Sequence, residues 1–179
     1  MRIISGKYRG LNLAEFKGED IRPTADRVKE SLFNILYGRI AQKRVLDLFC
    51  GSGSLGIECL SRGAAEVHFN DLSPDSIALL KKNLSKLKGE NAYKITNCDY
   101  SACLSRLTGQ FGLIFIDPPY RLEIGRHSLE IISASNLLSP DGVAVLERDR
   151  AFEGEIEGLE LTDERKYGIT YLSFFERKE

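Results

Sequence analysis

Tryptophan is absent from this 179-residue chain, methionine occurs only at its start, and histidine only at His68 and His127. Four cysteines are present, Cys50, Cys59, Cys98 and Cys103, with no C-x-x-C pair among them. No metal site is expected from so sparse a donor set, and the thiols read as small buried hydrophobes in a reducing compartment. Long apolar runs are also missing. Stretches such as 113–116 and 143–146 fall far short of the ~18 residues a membrane span needs. The opening MRIISGKYRG lacks the apolar core of a secretory signal, which predicts a cytoplasmic protein without a membrane partner. Charge of one sign is lacking too: 25 Lys and Arg balance 26 Asp and Glu, for a net charge of −1. No global basic field exists, so any contact with nucleic acid must come from a local patch. The length suits one domain whose core holds without disulfides.

What is present is a regular change of period. Residues 2–5 and 8–13 flank Gly6-Lys7 and predict a short hairpin. Residues 15–22 are polar and read as a loop. Pro23 and Thr24 open a helix with Thr24 as N-cap, and Val28, Leu32, Ile35, Leu36 and Ile40 carry its apolar face. Strands are expected at 44–50, 66–70, 92–96, 112–117 and 142–147, and helices at 55–61, 75–88 and 122–138. Segments 159–162 and 170–175 leave no room for a helix between them, so they close the sheet with an antiparallel strand. Alternating strands and helices imply right-handed crossovers. The expected architecture is an α/β, Rossmann-like, mostly parallel seven-stranded sheet with helices on both faces. It spans 44–179, preceded by a hairpin-and-helix extension at 1–43.

In such sheets ligands bind at the carboxyl ends of the strands, near the topological switch point. The first strand ends in Asp47-Leu48-Phe49-Cys50 and runs into Gly51-Ser52-Gly53-Ser54-Leu55-Gly56, a G-x-G-x-x-G turn into a helix. Asp71 ends the second strand, where a carboxylate can accept from both ribose hydroxyls; its plainer reading is a turn cap. The chain has little room for the second mononucleotide half of an NAD enzyme. Asp47 ahead of the glycines suits a cationic aminosulfonium better than a diphosphate. S-adenosyl-L-methionine is therefore the expected cofactor. Asp99 could accept from the adenine amine with Tyr100 beside it, or could simply cap a helix.

The fourth strand ends in Asp117-Pro118-Pro119-Tyr120. Two prolines remove two N–H donors and stiffen the loop. That leaves an acceptor-rich rim, the Asp117 carboxylate and the Pro118 carbonyl, beside the aromatic face of Tyr120. Two acceptors gripping the N–H bonds of an sp² exocyclic amine would orient its delocalised lone pair and stabilise the charge that develops on nitrogen. Tyr120 would stack on the base.

This tetrapeptide resembles the (D/N)PP(Y/F) signature of amino-methyltransferases, and DLFCGSGSLGIE (47–58) resembles their cofactor loop. RIISGKYRG (2–10), RPTADRVKESLFN (22–34) and Lys166-Tyr167-Gly168 are similar to the bacterial 16S rRNA guanine-N2 methyltransferase family, whose target is guanine 966. The resemblance implies catalytic roles for Asp117, Pro118, Pro119 and Tyr120. It implies cofactor contacts for Asp47, Gly51, Gly53, Asp71, Asp99 and Tyr100, with Thr24 and Asn34 flanking the methionine end. It also implies a partner, 16S rRNA in the small ribosomal subunit or a late assembly intermediate. Arg2, Lys7, Tyr8 and Arg9 form a basic stretch free of acids. Arg22, Arg27, Lys29, Arg121 and Arg126 could extend it toward the catalytic loop as an RNA-binding patch. A monomer is expected, since no long apolar edge or heptad is present. The alternative reading is an amino-methyltransferase acting on another RNA or on DNA adenine N6.

Overall fold

Strands with apolar residues on both faces require cover on both sides, and the chain supplies it by alternating strand and helix. The computed structural model describes residues 1–16, 23–118 and 123–178, with the side chains of the first helix described from Arg27 onward. In chain order the elements are α1 (Pro23–Ile35), β1 (Arg44–Asp47), α2 (Ser54–Ser61), β2 (Glu66–Asn70), α3 (Pro74–Leu84), β3 (Tyr93–Thr96), α4 (Tyr100–Arg106), β4 (Phe111–Ile116), α5 (Ile124–Ala134), β5 (Leu138–Arg148), β6 (Leu159–Tyr167) and β7 (Thr170–Arg177). They build one seven-stranded sheet of order β3-β2-β1-β4-β5-β7-β6, in which β7 alone runs antiparallel to its neighbours. This is the doubly wound architecture that the alternating periods predict. The order reverses between β1 and β4, which fixes the switch point there.

Side-chain alternation divides the core by face. Val45, Val67, Phe69, Leu113, Phe115, Val143 and Val145 pack with Val28, Leu32 and Phe33 of α1 and with Ile3, Tyr8 and Leu13 of the N-terminal segment. Leu46, Ile114, Ile116, Ala144 and Leu146 pack on the other side with Leu129 and Ile132 of α5 and Cys103 and Leu104 of α4. Segment 1–16 and α1 therefore share one core with the sheet.

Several boundaries differ from the sequence expectation. The N-terminal segment makes one bridge, Arg2 to Asn12, rather than a ladder. Its amides are taken elsewhere: Ile4 and Ser5 donate to Glu58 at 2.8 and 3.0 Å, Lys7 to the Ser61 carbonyl at 2.8 Å, and Tyr8 to Ser61 Oγ at 2.9 Å. Helix α1 begins at Pro23, which suits a first helical position, so Thr24 lies inside it rather than capping it. The helix stops at Ile35 instead of Ile40. Helix α4 is too short to show a period in sequence, and Asp99 caps it. Helix α5 ends early because Asn136 adopts a left-handed φ of 53° and Leu137 N–H donates to the Ile132 carbonyl, the Schellman closure that terminates a helix. Strand β5 consequently starts at Leu138. Among the described residues no helix is long and apolar enough to cross a membrane.

Candidate active site

Asp47, Asp71, Asp99 and Asp117 end or follow four successive parallel strands, so the topology delivers them to one edge of the sheet. Asp47 is only 2% exposed and accepts from Gly56 N–H at 2.9 Å. Burial raises its pKa to about 7; the Gly56 bond and Lys29 oppose the shift, while the charge of Asp71 reinforces it. Asp71 closes the glycine loop. One of its oxygens accepts from Gly51 N–H and the other from Ser73 N–H, both at 2.8 Å. Its carboxylate keeps spare lone pairs for hydroxyl donors. Leu72 beside it is 68% exposed and offers an apolar surface at the rim that sequence reading passed over.

Asp99 accepts from Ser101 N–H and Oγ at 2.9 and 2.6 Å, and these bonds hold its carboxyl below the usual range despite some desolvation. The helix-cap reading is thus met, with its second oxygen not engaged by Ser101. Tyr100 shares a hydrogen bond of 2.8 Å with His127 Nδ1 and rests on Phe49 with ring centres 5.8 Å apart. Buried amides fix the loops relative to one another. Asn70 donates to the carbonyls of Leu48 and Cys98, tying the β1 and β3 ends. Asn83 donates to Ser52 and Ala14 carbonyls, tying the glycine loop to the N-terminal segment.

Asp117 follows β4 directly and is exposed to solvent on its open side, while protein surrounds the rest of its carboxyl. Desolvation lifts its pKa well above the usual carboxylate range, and the charges of Glu147 and Asp47 add to this. Glu147 stands level with it: Ile116 pairs with Leu146, so the next residues of β4 and β5 are neighbours. Desolvation raises Glu147 as well. Sequence reading missed Glu147, although the signal was there. Strand β5 repeats the pattern of β4, an apolar run followed by a carboxylate.

The remaining predicted residues divide clearly. Pro118 is described and half-buried. Pro119, Tyr120, Arg121 and Arg22, with the side chain of Thr24, lie outside the described residues. Asn34 is exposed on α1 next to Phe33, whose ring packs 6.1 Å from that of Phe115. Arg2, Lys7, Arg9 and Arg27 are exposed. Tyr8 is not available to stack on RNA. It is buried, and its hydroxyl donates to the Lys88 carbonyl and meets Asn91 Oδ1. Lys29 is buried against Glu58 at 3.3 Å, and Arg126 donates to the carbonyls of Glu153 and Glu155, so neither extends the basic patch. Lys7 docks on the last residue of α2, at the edge of the sheet opposite Asp117.

The donor set fits a cationic, nucleoside-bearing ligand. Residues 47–57 contain no lysine or arginine to meet a diphosphate, whereas carboxylates line the edge. The loop also leaves space above it. Gly51 has φ 51°, and a Cβ built there meets nothing within 4 Å. A Cβ on Gly53, at φ 82°, would instead overlap Leu80. Gly51→Ala is therefore expected to cost roughly 1–2 kcal/mol through its left-handed φ, a few degrees in Tm. Cofactor affinity should fall at least about tenfold as the methyl fills the approach; calorimetry showing unchanged affinity would remove the loop from the cradle.

The raised carboxyl groups carry a stability signature. An acid whose folded pKa exceeds its unfolded value stabilises the fold when protonated, and that contribution is lost as pH rises through the folded pKa. His68, lowered chiefly by burial, acts with opposite sign but only below its ordinary value of 6.5. Between pH 6.5 and 8 the ligand-free protein should thus lose roughly 2–3 °C of Tm, with Asp47, raised to about 7, responsible. Asp47→Asn should flatten this slope in thermal melts.

A family model described as conserved hypothetical protein 95 matches residues 1–176. YlbH of Bacillus subtilis is 37% identical over 99% of this chain and all of its own. Ribosomal RNA small subunit methyltransferase D of Haemophilus influenzae is 38% identical over 84% of this chain and 79% of its own. Two solved structures, described as a methyltransferase from Escherichia coli and a methylase from Haemophilus influenzae, superpose with TM-scores of 0.88 and 0.82. They are 30% and 33% identical, and each comparison covers 99% of this chain and 98% of the other. The chain belongs to the conserved hypothetical protein 95 family, among the relatives of the small-subunit rRNA methyltransferases, and carries the fold of S-adenosylmethionine-dependent methyltransferases.

Proposed function

We propose that this protein methylates the exocyclic N2 amine of a guanine, guanine 966, in 16S rRNA of the small ribosomal subunit. The observation that carries the reading is the carboxylate row across the switch point, with Asp117 heading a Pro-Pro loop beside Asp47 and Glu147. When bound, S-adenosylmethionine supplies an activated methyl group on a cationic sulfur. Asp47 and Asp71 hold the loop that receives it, and Gly51 gives close backbone approach. A bound cation favours the ionised carboxylates, which prepares Asp117 to accept rather than donate. Asp117 and the Pro118 carbonyl then hold the two N–H bonds of the amine, and Tyr120 supports the base from its face.

Two further features support the partner. Arg2, Arg9 and Arg27 offer exposed cations, but a net charge of −1 gives little non-specific affinity for naked RNA. An assembled subunit or late intermediate, whose shape adds to charge, fits this balance better. A monomer in the cytoplasm is the accompanying reading. The relatives from Haemophilus influenzae and Escherichia coli, ribosomal RNA small subunit methyltransferases D, support rRNA of the small subunit as the substrate class.

The test is transfer of labelled methyl to bacterial small subunits lacking the native mark, followed by digestion and separation of nucleosides. Label is expected in N2-methylguanosine. Label in N6-methyladenine would move the protein to another branch of amino-methyltransferases. Confirmed cofactor binding without any label would overturn the substrate, and absence of cofactor binding would overturn the enzyme.

A further inference from the structure

Cationic and aromatic side chains meet in one row where the last three strands reach the active-site edge. Arg148 of β5 lies opposite Tyr171 of β7, and Lys166 of β6 lies opposite the same tyrosine. Directly paired residues project to the same face of a sheet. Lys166 Nζ stands 5.1 Å from the centre of the Tyr171 ring. Neighbouring Arg150 and Arg165 are paired with Asp149 and Asp163, whereas Arg148 and Lys166 have no ion pair among the described residues; Arg148 lies over the Phe152 ring at 5.3 Å, on the sheet face opposite Glu147. Tyr167 pairs with Thr170, which leaves Gly168-Ile169 as a two-residue turn. Ile169 is 70% exposed at its tip, a place where turns favour polar residues.

The antiparallel course of β7 puts this tip at the carboxyl edge of the parallel strands, beside Glu147 and Asp117. One strand, β5, separates β7 from β4. At ~4.8 Å per strand the tip's base stands about 10 Å from the β4 edge. A folded RNA presenting a base to Asp117 is broader than that, so the tip lies within its reach.

We infer that the β6–β7 tip is a substrate contact: Arg148 and Lys166 take phosphates flanking the target nucleotide, and Ile169 packs on a base face vacated when the target leaves its stack. This rests on the RNA-methyltransferase reading above. An apolar tip flanked by unpaired cations and an aromatic ring matches the chemistry of nucleic acid, with phosphates outside and unstacked base faces within.

The test compares Ile169→Ser, Lys166→Ala and Arg148→Ala with wild type on small subunits, with Lys82→Ala on α3 as a distant exposed control. Each tip variant is expected to keep cofactor affinity and Tm while kcat/KM for the subunit falls at least fivefold. Lys166→Ala should also reduce the salt dependence of binding by about one unit of slope, and Lys166→Arg should restore the rate. A photoreactive residue at position 169 should crosslink to 16S rRNA. Wild-type rates in all three variants, or a crosslink confined to a ribosomal protein, would overturn the inference while leaving the proposed function intact. A wild-type chain that methylates no RNA would overturn both.

Discussion

Asp117→Ala is expected to lower methyl transfer by about 10²–10³-fold while cofactor affinity changes by less than about tenfold. The separation follows from position. Asp71 and Asp47 fix the glycine loop, the proposed cofactor cradle, through bonds from Gly51 and Gly56 N–H that do not involve Asp117. Asp117 instead heads the proline-stiffened loop after β4, level with Glu147. In the proposed reaction its removal takes away the acceptor that would orient the amine and stabilise charge appearing on nitrogen. Asp117→Asn should fall between, since the amide keeps one acceptor oxygen but adds two donors that face the amine's own N–H bonds. Single-turnover transfer measured alongside cofactor titration separates the two quantities. Parallel loss of both would mean that Asp117 serves binding rather than transfer.

Glu58→Ala should destabilise the protein by about 3–5 kcal/mol, the range for breaking a buried ion pair, or roughly 10 °C in Tm. Glu58 is fully buried. One oxygen accepts from Ile4 N–H and lies 3.3 Å from Lys29 Nζ; the other accepts from Ser5 N–H and from Arg62 Nε at 2.8 Å. One carboxylate thereby joins the N-terminal segment, α1 and α2. Alanine would take the carboxylate from beside the 3%-exposed Lys29, which also meets the Arg2 carbonyl at 3.4 Å, and would orphan two amides at once. The pair substitution Glu58→Leu with Lys29→Met should recover part of the loss, because it removes the buried charge but leaves the amides unserved. Thermal melts of the three variants decide this. A Glu58→Ala change within 1 kcal/mol of wild type would show that water or rearrangement replaces the cluster.

Sequence alone reaches the sheet and the glycine loop because both are written in local patterns. Apolar runs punctuated by Gly51 after Asp47-Leu48-Phe49-Cys50, and by two prolines directly after Asp117, state where each strand gives way to a loop, although the run through Cys50 overstates β1 by three residues. Features set by distant partners are not local and cannot be read this way. Tyr8 sits between two basic residues and looks like a surface ring; its burial depends on Lys88 and Asn91, about eighty residues away in sequence. The expected N-terminal ladder fails because Glu58 and Ser61 capture its amides. Lys29 counts as a surface charge until α2 brings Glu58 beside it. Glu147 escapes notice because β5 continues through Arg148 and no glycine or proline punctuates its site-forming end. Asp99 has two readings in sequence, and the structure answers one of them: its carboxylate caps α4 through Ser101.

The long reach of the N-terminal contacts has a consequence for how the protein is made. Tyr8 is joined to Asn91, 83 positions later, and Ala14 to Asn83, 69 positions later. At roughly 5–20 residues per second of synthesis, several seconds pass before those partners exist. Residues 1–14 thus leave the translating ribosome well before their partners and stay undocked until α2 and α3 are made. A nascent chain stalled before position 80 should leave its N-terminus open to protease, and one extended past about 130, with 91 clear of the exit tunnel, should protect it.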